Sequence, residues 1–159
     1  MVTVRMATIE DRSVFLGLWA EYLKTQEDLG DFVRATDRTL DIYDSIFVSA
    51  VSPGAGVVVI AEDGDYPCGA LMRRAVDIPF DTTLGKTVMS FGVYVRKEFQ
   101  NQGIAKQMAD IAATELRRHG FQSALTEVVK GNELSDRYSN AVGYETVKVV
   151  QVMNLRSDS

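Results

Sequence analysis

Apolar residues at Phe15, Leu18, Trp19, Tyr22 and Leu23 follow the i, i+3, i+4, i+7, i+8 spacing of one helical face. The stripe predicts a core-facing helix running to about Lys24, with a cap within Thr8 to Asp11. Ahead of it, "VTVRMA" alternates apolar and polar positions as a half-buried strand does. Behind it, Gly30 and clustered acids break the pattern. Leu40, Tyr43, Phe47 and Ala50 then return in phase, predicting a second helix that stops at Ser52, Pro53 and Gly54.

Val57 to Ala61 and Cys68 to Met72 are strand-like runs joined by the turn formers Asp63, Gly64 and Asp65, so they predict a hairpin. A long connection follows over residues 75–86. "TVMSFGVYV", residues 87–95, is an apolar run of strand length whose internal Gly92 marks a bulge or a close approach by another group. Ile104, Met108, Ile111, Ala112 and Leu116 share one face of a long helix that Gly120 closes, with His119 as a cap residue. The rest reads as a strand over residues 123–129, a short helix within "NELSDRYSNAVGY", and a last strand in "TVKVVQVMNL".

The chain has 159 residues, of which 46% are hydrophobic, which suits one domain spanning residues 1–159. A net charge of −5 provides no basic field for a nucleic-acid backbone, so nucleic acid is not expected as a partner. One cysteine, Cys68, and one histidine, His119, exclude an internal disulfide and a metal-ligand cluster. With no signal-peptide pattern and no apolar run of membrane-spanning length, the sequence reads as cytoplasmic and without a membrane partner.

The polar stretch "FQNQGIAKQM" carries the chemistry. It lies between a strand and a long helix, and the unpaired N–H groups and partial positive charge of a helix N-terminus hold anions. Gly103 stands where a phosphate would approach the backbone. The stretch has neither the Gly-Lys-Ser/Thr ending of a P-loop nor the three spaced glycines of a dinucleotide fingerprint.

"VYVRKEFQNQGIAKQM" resembles the acyl-CoA pyrophosphate motif of the GNAT superfamily of N-acetyltransferases, Arg/Gln-x-x-Gly-x-Gly/Ala, with Gln100, Gly103 and Ala105 in its defining positions. Downstream, Asn132, Ser135, Gly143 and Tyr144 are similar to the family's Asn-x-x-Ala/Ser … Gly-Phe/Tyr segment. The order of elements also matches, so the resemblance spans nearly the whole chain. It implies an α+β fold: a mixed, mostly antiparallel sheet with splayed central strands, flanked by about four helices. It further implies acetyl-CoA as acyl donor and a primary amine as acceptor. Val93, Tyr94 and Val95 would hold the pantetheine arm, and Gln100, Asn101, Gln102, Gly103, Ile104, Ala105 and Lys106 the pyrophosphate, with Lys106 adding a cation. Asn132 would bond the arm from the next strand end.

Two departures leave the catalytic groups open. Many family members place a tyrosine acid four residues before the final glycine; here that residue is Ser139, and Tyr138 is one position earlier, rotated by about 100°. Both stay candidates, with a packed core role as the alternative for Tyr138. Residues 87–95 hold no carboxylate to act as base, which leaves Ser90 through a water, or Glu127 on the next strand. The single strand after Tyr144 would leave a sheet edge open, so a homodimer is expected. Glu21, Glu27, Asp28, Asp31, Asp77 and Asp81 are the acids available to attract a cationic acceptor between the first two helices and the 75–86 connection. A CoA-binding module without transfer activity is the competing reading.

Overall fold

The N-terminal alternation becomes strand β1 (Val2–Met6) in a computed structural model, which describes residues 1–148, 151 and 153. The Asp11 carboxylate accepts the Thr8 amide at 2.8 Å across one 3-10 turn, and helix α1 (Arg12–Asp28) follows. This helix runs a turn beyond Lys24, whose ammonium bridges to Asp28 at 3.1 Å. Thr36 caps helix α2 (Asp37–Ala50) by accepting the Thr39 amide at 3.2 Å. The hairpin is β2 (Gly56–Asp63) and β3 (Tyr66–Val76), and β4 (Thr87–Val95) keeps its predicted bounds. Helix α3 (Ile104–Arg118), strand β5 (Ser123–Thr126) and helix α4 (Glu133–Val142) complete the described elements.

The strands lie in sequence order, antiparallel from β1 to β4, with β5 parallel to β4. Strand alternation sends Val57, Val59, Leu71 and Val88 to a core beneath α3, and Val58, Ile60, Ala70 and Met72 to a second core beneath α1 and α2. The fold is thus the expected α+β sandwich of one mixed sheet between helices.

What positions the site is a fork in this sheet. Strand β5 follows β4 only from Thr87↔Ser123 to Ser90↔Thr126, whereas β3 accompanies β4 to Val95. The register slips between Arg73↔Ser90 and Met72↔Gly92, leaving Phe91 as a bulge residue that bends β4 away. Gly92 permits both the bend and a close neighbour: a Cβ there would lie 2.4 Å from the Tyr22 hydroxyl.

Three expectations change. The strand read over residues 123–129 ends at Thr126, because β4 has turned away and offers no further partner, so Glu127 lies beyond the sheet and exposed. The connection read from residue 75 begins after Val76, which still pairs with Thr87. Residues 145–148, 151 and 153 carry no strand. The remainder of the last predicted strand, and with it the edge argument for a dimer, lies outside the described residues. None of the described helices is long and apolar enough to cross a membrane.

Candidate active site

Beyond the fork, β4 exposes one backbone edge. The Arg96 amide donates to the Cys68 carbonyl of β3 at 2.9 Å. Backbone groups alternate direction along a strand, so those of Tyr94 also face β3, and those of Val93 and Val95 face the gap left by β5. The Tyr94 side chain goes elsewhere too, donating to Glu21 at 3.0 Å on the α1 side. Burial, then this bond to a carboxylate, push its hydroxyl up to about 12. Tyr94 therefore leaves the set of candidate cofactor contacts, while Val93 and Val95 line a slot of about 280 Å³.

The far wall is α4. Leu134, Tyr138 and Ala141 turn into the slot with Ser135 and Arg137, an i, i+4, i+7 face of that helix. Asn132 is buried but does not reach the slot wall: its Oδ1 accepts the Ser135 amide at 3.1 Å and caps α4. Ser139 lies off this face, its carbonyl taken by the Tyr144 amide at 2.9 Å in the helix C-cap.

At the slot's mouth lies the turn into α3. Asn101 (φ 61°) and Gly103 (φ 77°) are left-handed, and the helix begins with the Gln107 amide donating to the Gly103 carbonyl at 3.0 Å. The amides of Asn101 to Lys106 have no acceptor among the described residues. Such a run of free N–H groups ahead of a helix N-terminus is a cradle for phosphate oxygens. Gln100, Asn101, Gly103, Ile104, Ala105 and Lys106 line the slot; the Gln102 side chain folds back to the Glu98 carbonyl at 3.2 Å. The Gln100 side-chain amide donates to the Val95 carbonyl at 2.9 Å and ties the loop to the strand, while its backbone amide donates to the Lys97 carbonyl at 3.3 Å. The Lys106 ammonium is engaged by Asp110 at 2.8 Å, one turn along the helix.

The opposite side of β4 offers an aromatic floor. Tyr22 donates to the Phe91 carbonyl at 3.3 Å, and Tyr43 meets the Phe91 ring edge-on at 6.1 Å between centroids. Burial raises the Tyr43 hydroxyl above its ordinary range, and the nearby charges of Asp31 and Glu127 add to this. Two acids from separate segments thus act on this tyrosine through their charge. Asp77 and Asp81 instead line a separate cleft with Lys86 and Phe121, and Glu21 is taken by Arg96. Cys68 is fully buried, and burial pushes its thiol up, away from nucleophile chemistry.

One polar residue of this region, Arg73, went unread in the sequence, and Tyr144 was read only as part of the family segment. Arg73 is 5% exposed, and Tyr144 buries its hydroxyl; the Arg73 Nε and the hydroxyls of Tyr138 and Tyr144 are all without hydrogen-bond partners among the described residues. The available signal was an arginine in phase with the inward-facing Leu71 and Ala75 of "LMRRAV".

The unpaired amides, the exposed backbone edge and the narrow slot fit a ligand with a pyrophosphate head and an amide-bearing arm. Comparison with known proteins agrees. Residues 17–144 match the Acetyltransferase (GNAT) family. No curated protein matches the sequence closely enough to carry a comparison. Among solved structures, a mutant of the BH1408 protein from Bacillus halodurans superposes with a TM-score of 0.78 at 20% identity, over 97% of this chain and 99% of the other. A predicted acetyltransferase with acetyl-CoA from Clostridium acetobutylicum gives 0.72 at 20% identity, over 98% and 97%. AAC(6')-Iy in complex with the bisubstrate analogue CoA-S-monomethyl-acetylneamine gives 0.70 at 16% identity, over 99% of each chain.

Proposed function

This chain belongs to the GNAT acetyltransferase family, and from that premise we propose that it transfers an acetyl group from acetyl-CoA to a primary amine, with both substrates bound together. The observation that carries this reading is the pairing of the free amides of Asn101 to Lys106 with the β4 edge that β5 leaves at Val93 and Val95, where Gln100 engages only the Val95 carbonyl. Bound there, acetyl-CoA would supply an acetyl group activated as a thioester.

The residues divide the work. The amides of Asn101 to Lys106 hold the pyrophosphate, and the backbone of Val93 and Val95 aligns the arm along β4. Tyr138 is the proton donor toward the slot, because it lines the slot and Ser139 does not. The acceptor enters over Tyr22, Tyr43 and Phe91, where Asp31 and Glu127 favour a cationic amine. Glu127, exposed beyond β5, takes up the amine's proton directly or through water. AAC(6')-Iy, whose complex holds an aminoglycoside-derived analogue, supports a small polyamine-like acceptor.

Thiol release across a panel of polyamines, aminoglycosides and peptide amines tests the reading. Turnover with at least one amine is the expected result. A CoA-binding module without transfer activity is favoured by one observation, the absence of any carboxylate on β4. Tight CoA binding with no turnover across the panel would establish that second reading instead.

A further inference from the structure

Arg73 is a buried cation without an ion pair among the described residues; the acid that lines its cleft, Asp110, is engaged by Lys106. It takes part in none of their ion pairs, and its Nε has no acceptor. A desolvated guanidinium of this kind is costly unless a negative charge arrives beside it.

Its place in the sheet indicates which charge that is. Arg73 pairs with Ser90, and Ser90 with Thr126, which is the last row before β4 and β5 part. Arg73 therefore stands at the apex of the fork, on the α3 face that it shares with Leu71 and Ala75. From α4, Tyr138 brings a buried hydroxyl without a hydrogen-bond partner into the field of the same guanidinium. Tyr138 lines the slot, and Arg73 lines a polar cleft of about 470 Å³ with Asp110, Thr114, Arg117 and Tyr144. Tyr138 packs on the same core as Leu71 and Ala75, the residues on either side of Arg73 on that face, and Val142, one turn along α4 from Tyr138, lines Arg73's cleft.

We propose that Arg73 is the positioning residue for Tyr138: it orients the hydroxyl toward the slot and stabilises the phenolate that proton donation leaves behind. The proposal rests on the reading of Tyr138 as proton donor. In that reaction the amine nitrogen bonds to the acetyl carbon and the carbon–sulfur bond breaks with its electron pair on sulfur. The proton passes from the Tyr138 hydroxyl to that sulfur. The proton shed by the attacking nitrogen goes to Glu127 or water, and solvent returns one to the phenolate.

The electrostatics of Tyr138 have the required sign. Burial raises the hydroxyl's pKa, Tyr144 and Asp110 of α3 push the same way, and Arg73 of β3 opposes them. Removing Arg73 therefore makes the phenolate harder to form.

The test uses Arg73→Gln, Arg73→Lys, Tyr138→Phe and the double variant Arg73→Gln/Tyr138→Phe. Arg73→Met serves as a second charge-free variant of similar length, and thermal unfolding reports the fold of each. Arg73→Gln should lower kcat about ten- to a hundredfold, at or below the usual contribution of a general acid, with KM for acetyl-CoA unchanged. Arg73→Lys should restore most of the loss, and Arg73→Gln should cost nothing more once Tyr138 is phenylalanine. A second readout needs no donor: the ultraviolet tyrosinate titration, taken as the difference between proteins with and without Tyr138, should move to higher pH in Arg73→Gln. Unchanged kcat and an unmoved titration in a folded charge-free variant would overturn the role of Arg73 while leaving Tyr138 as acid. Unchanged kcat in Tyr138→Phe would overturn the reading beneath it.

Discussion

Glu21 of α1 grips Arg96 at the end of β4, accepting from its Nε at 3.0 Å and also from its other guanidinium nitrogen, while Arg96 donates to the Pro67 carbonyl at 2.8 Å. The pair pins the first helix to the strand end from which the loop before α3 departs. Arg96 first, and the Tyr94 hydroxyl as well, hold the Glu21 carboxyl below its ordinary range. A depressed carboxylate contributes stability that is present above its unfolded pKa and is lost as pH falls through the lower folded value. Glu21→Gln should therefore destabilise the protein at neutral pH by about 1 kcal/mol or less, since the carboxylate is partly exposed, and by progressively less in acid. Urea unfolding at a series of pH values checks this.

The bulge makes a second prediction. Gly92→Ala places a methyl group against Tyr22, whose hydroxyl and ring lie 2.4 and 2.5 Å from the new Cβ. Displacing Tyr22 breaks its bond to the Phe91 carbonyl and disturbs the fork, so a loss of about 1–3 kcal/mol is expected. Thermal unfolding would show it, and acetyl transfer should fall along with stability.

Tyr138 and Ser139 are adjacent, yet only Tyr138 lines the slot. Tyr138→Phe should reduce kcat by about 10²- to 10⁴-fold without weakening acetyl-CoA binding, the range usual for general acid catalysis. Ser139→Ala should change neither. Steady-state kinetics with both variants separates them.

On the acceptor side, Asp31 and Glu127 both act on Tyr43, whereas Asp77 and Asp81 line another cleft. Asp31→Asn should raise KM for a cationic amine and leave acetyl-CoA affinity unchanged. The double variant Asp77→Asn/Asp81→Asn should leave both as they are. Initial rates with each substrate varied in turn distinguish these outcomes.

The sequence reveals most of the scaffold because each element has a local cause. The stripe from Phe15 to Leu23 and the face from Ile104 to Leu116 bury where their periods place them, and β4 keeps the bounds read for it. The turn before α3 is also legible, since it needs only a glycine and a helix start in the right order. What depends on neighbouring strands is not legible. Glu127 falls outside β5 because β4 bends at Phe91, and no residue within "SALTEVV" encodes that. Gln100 matches a family position, but its bond to Val95 appears only once the loop folds back on the strand. Arg73 resembles its neighbour Arg74 in sequence, and only the sheet register sets it beneath α4 at the apex of the fork.

The central claim is that the loop before α3 is a phosphate cradle for acetyl-CoA. Gly103 is left-handed with no other atoms crowding the position of a Cβ, so a side chain there costs about 1–2 kcal/mol of backbone strain and no packing. Gly103→Ala imposes that strain alone, whereas Gly103→Glu adds a negative charge among the amides meant for phosphate oxygens. Calorimetry of acetyl-CoA with the wild type and both variants is the most direct measurement. The wild type should bind in roughly the micromolar range, typical of enzyme substrates, with a modest loss in Gly103→Ala and no detectable binding in a folded Gly103→Glu. Equal affinity in the wild type and Gly103→Glu, or no binding by the wild type, would contradict the claim.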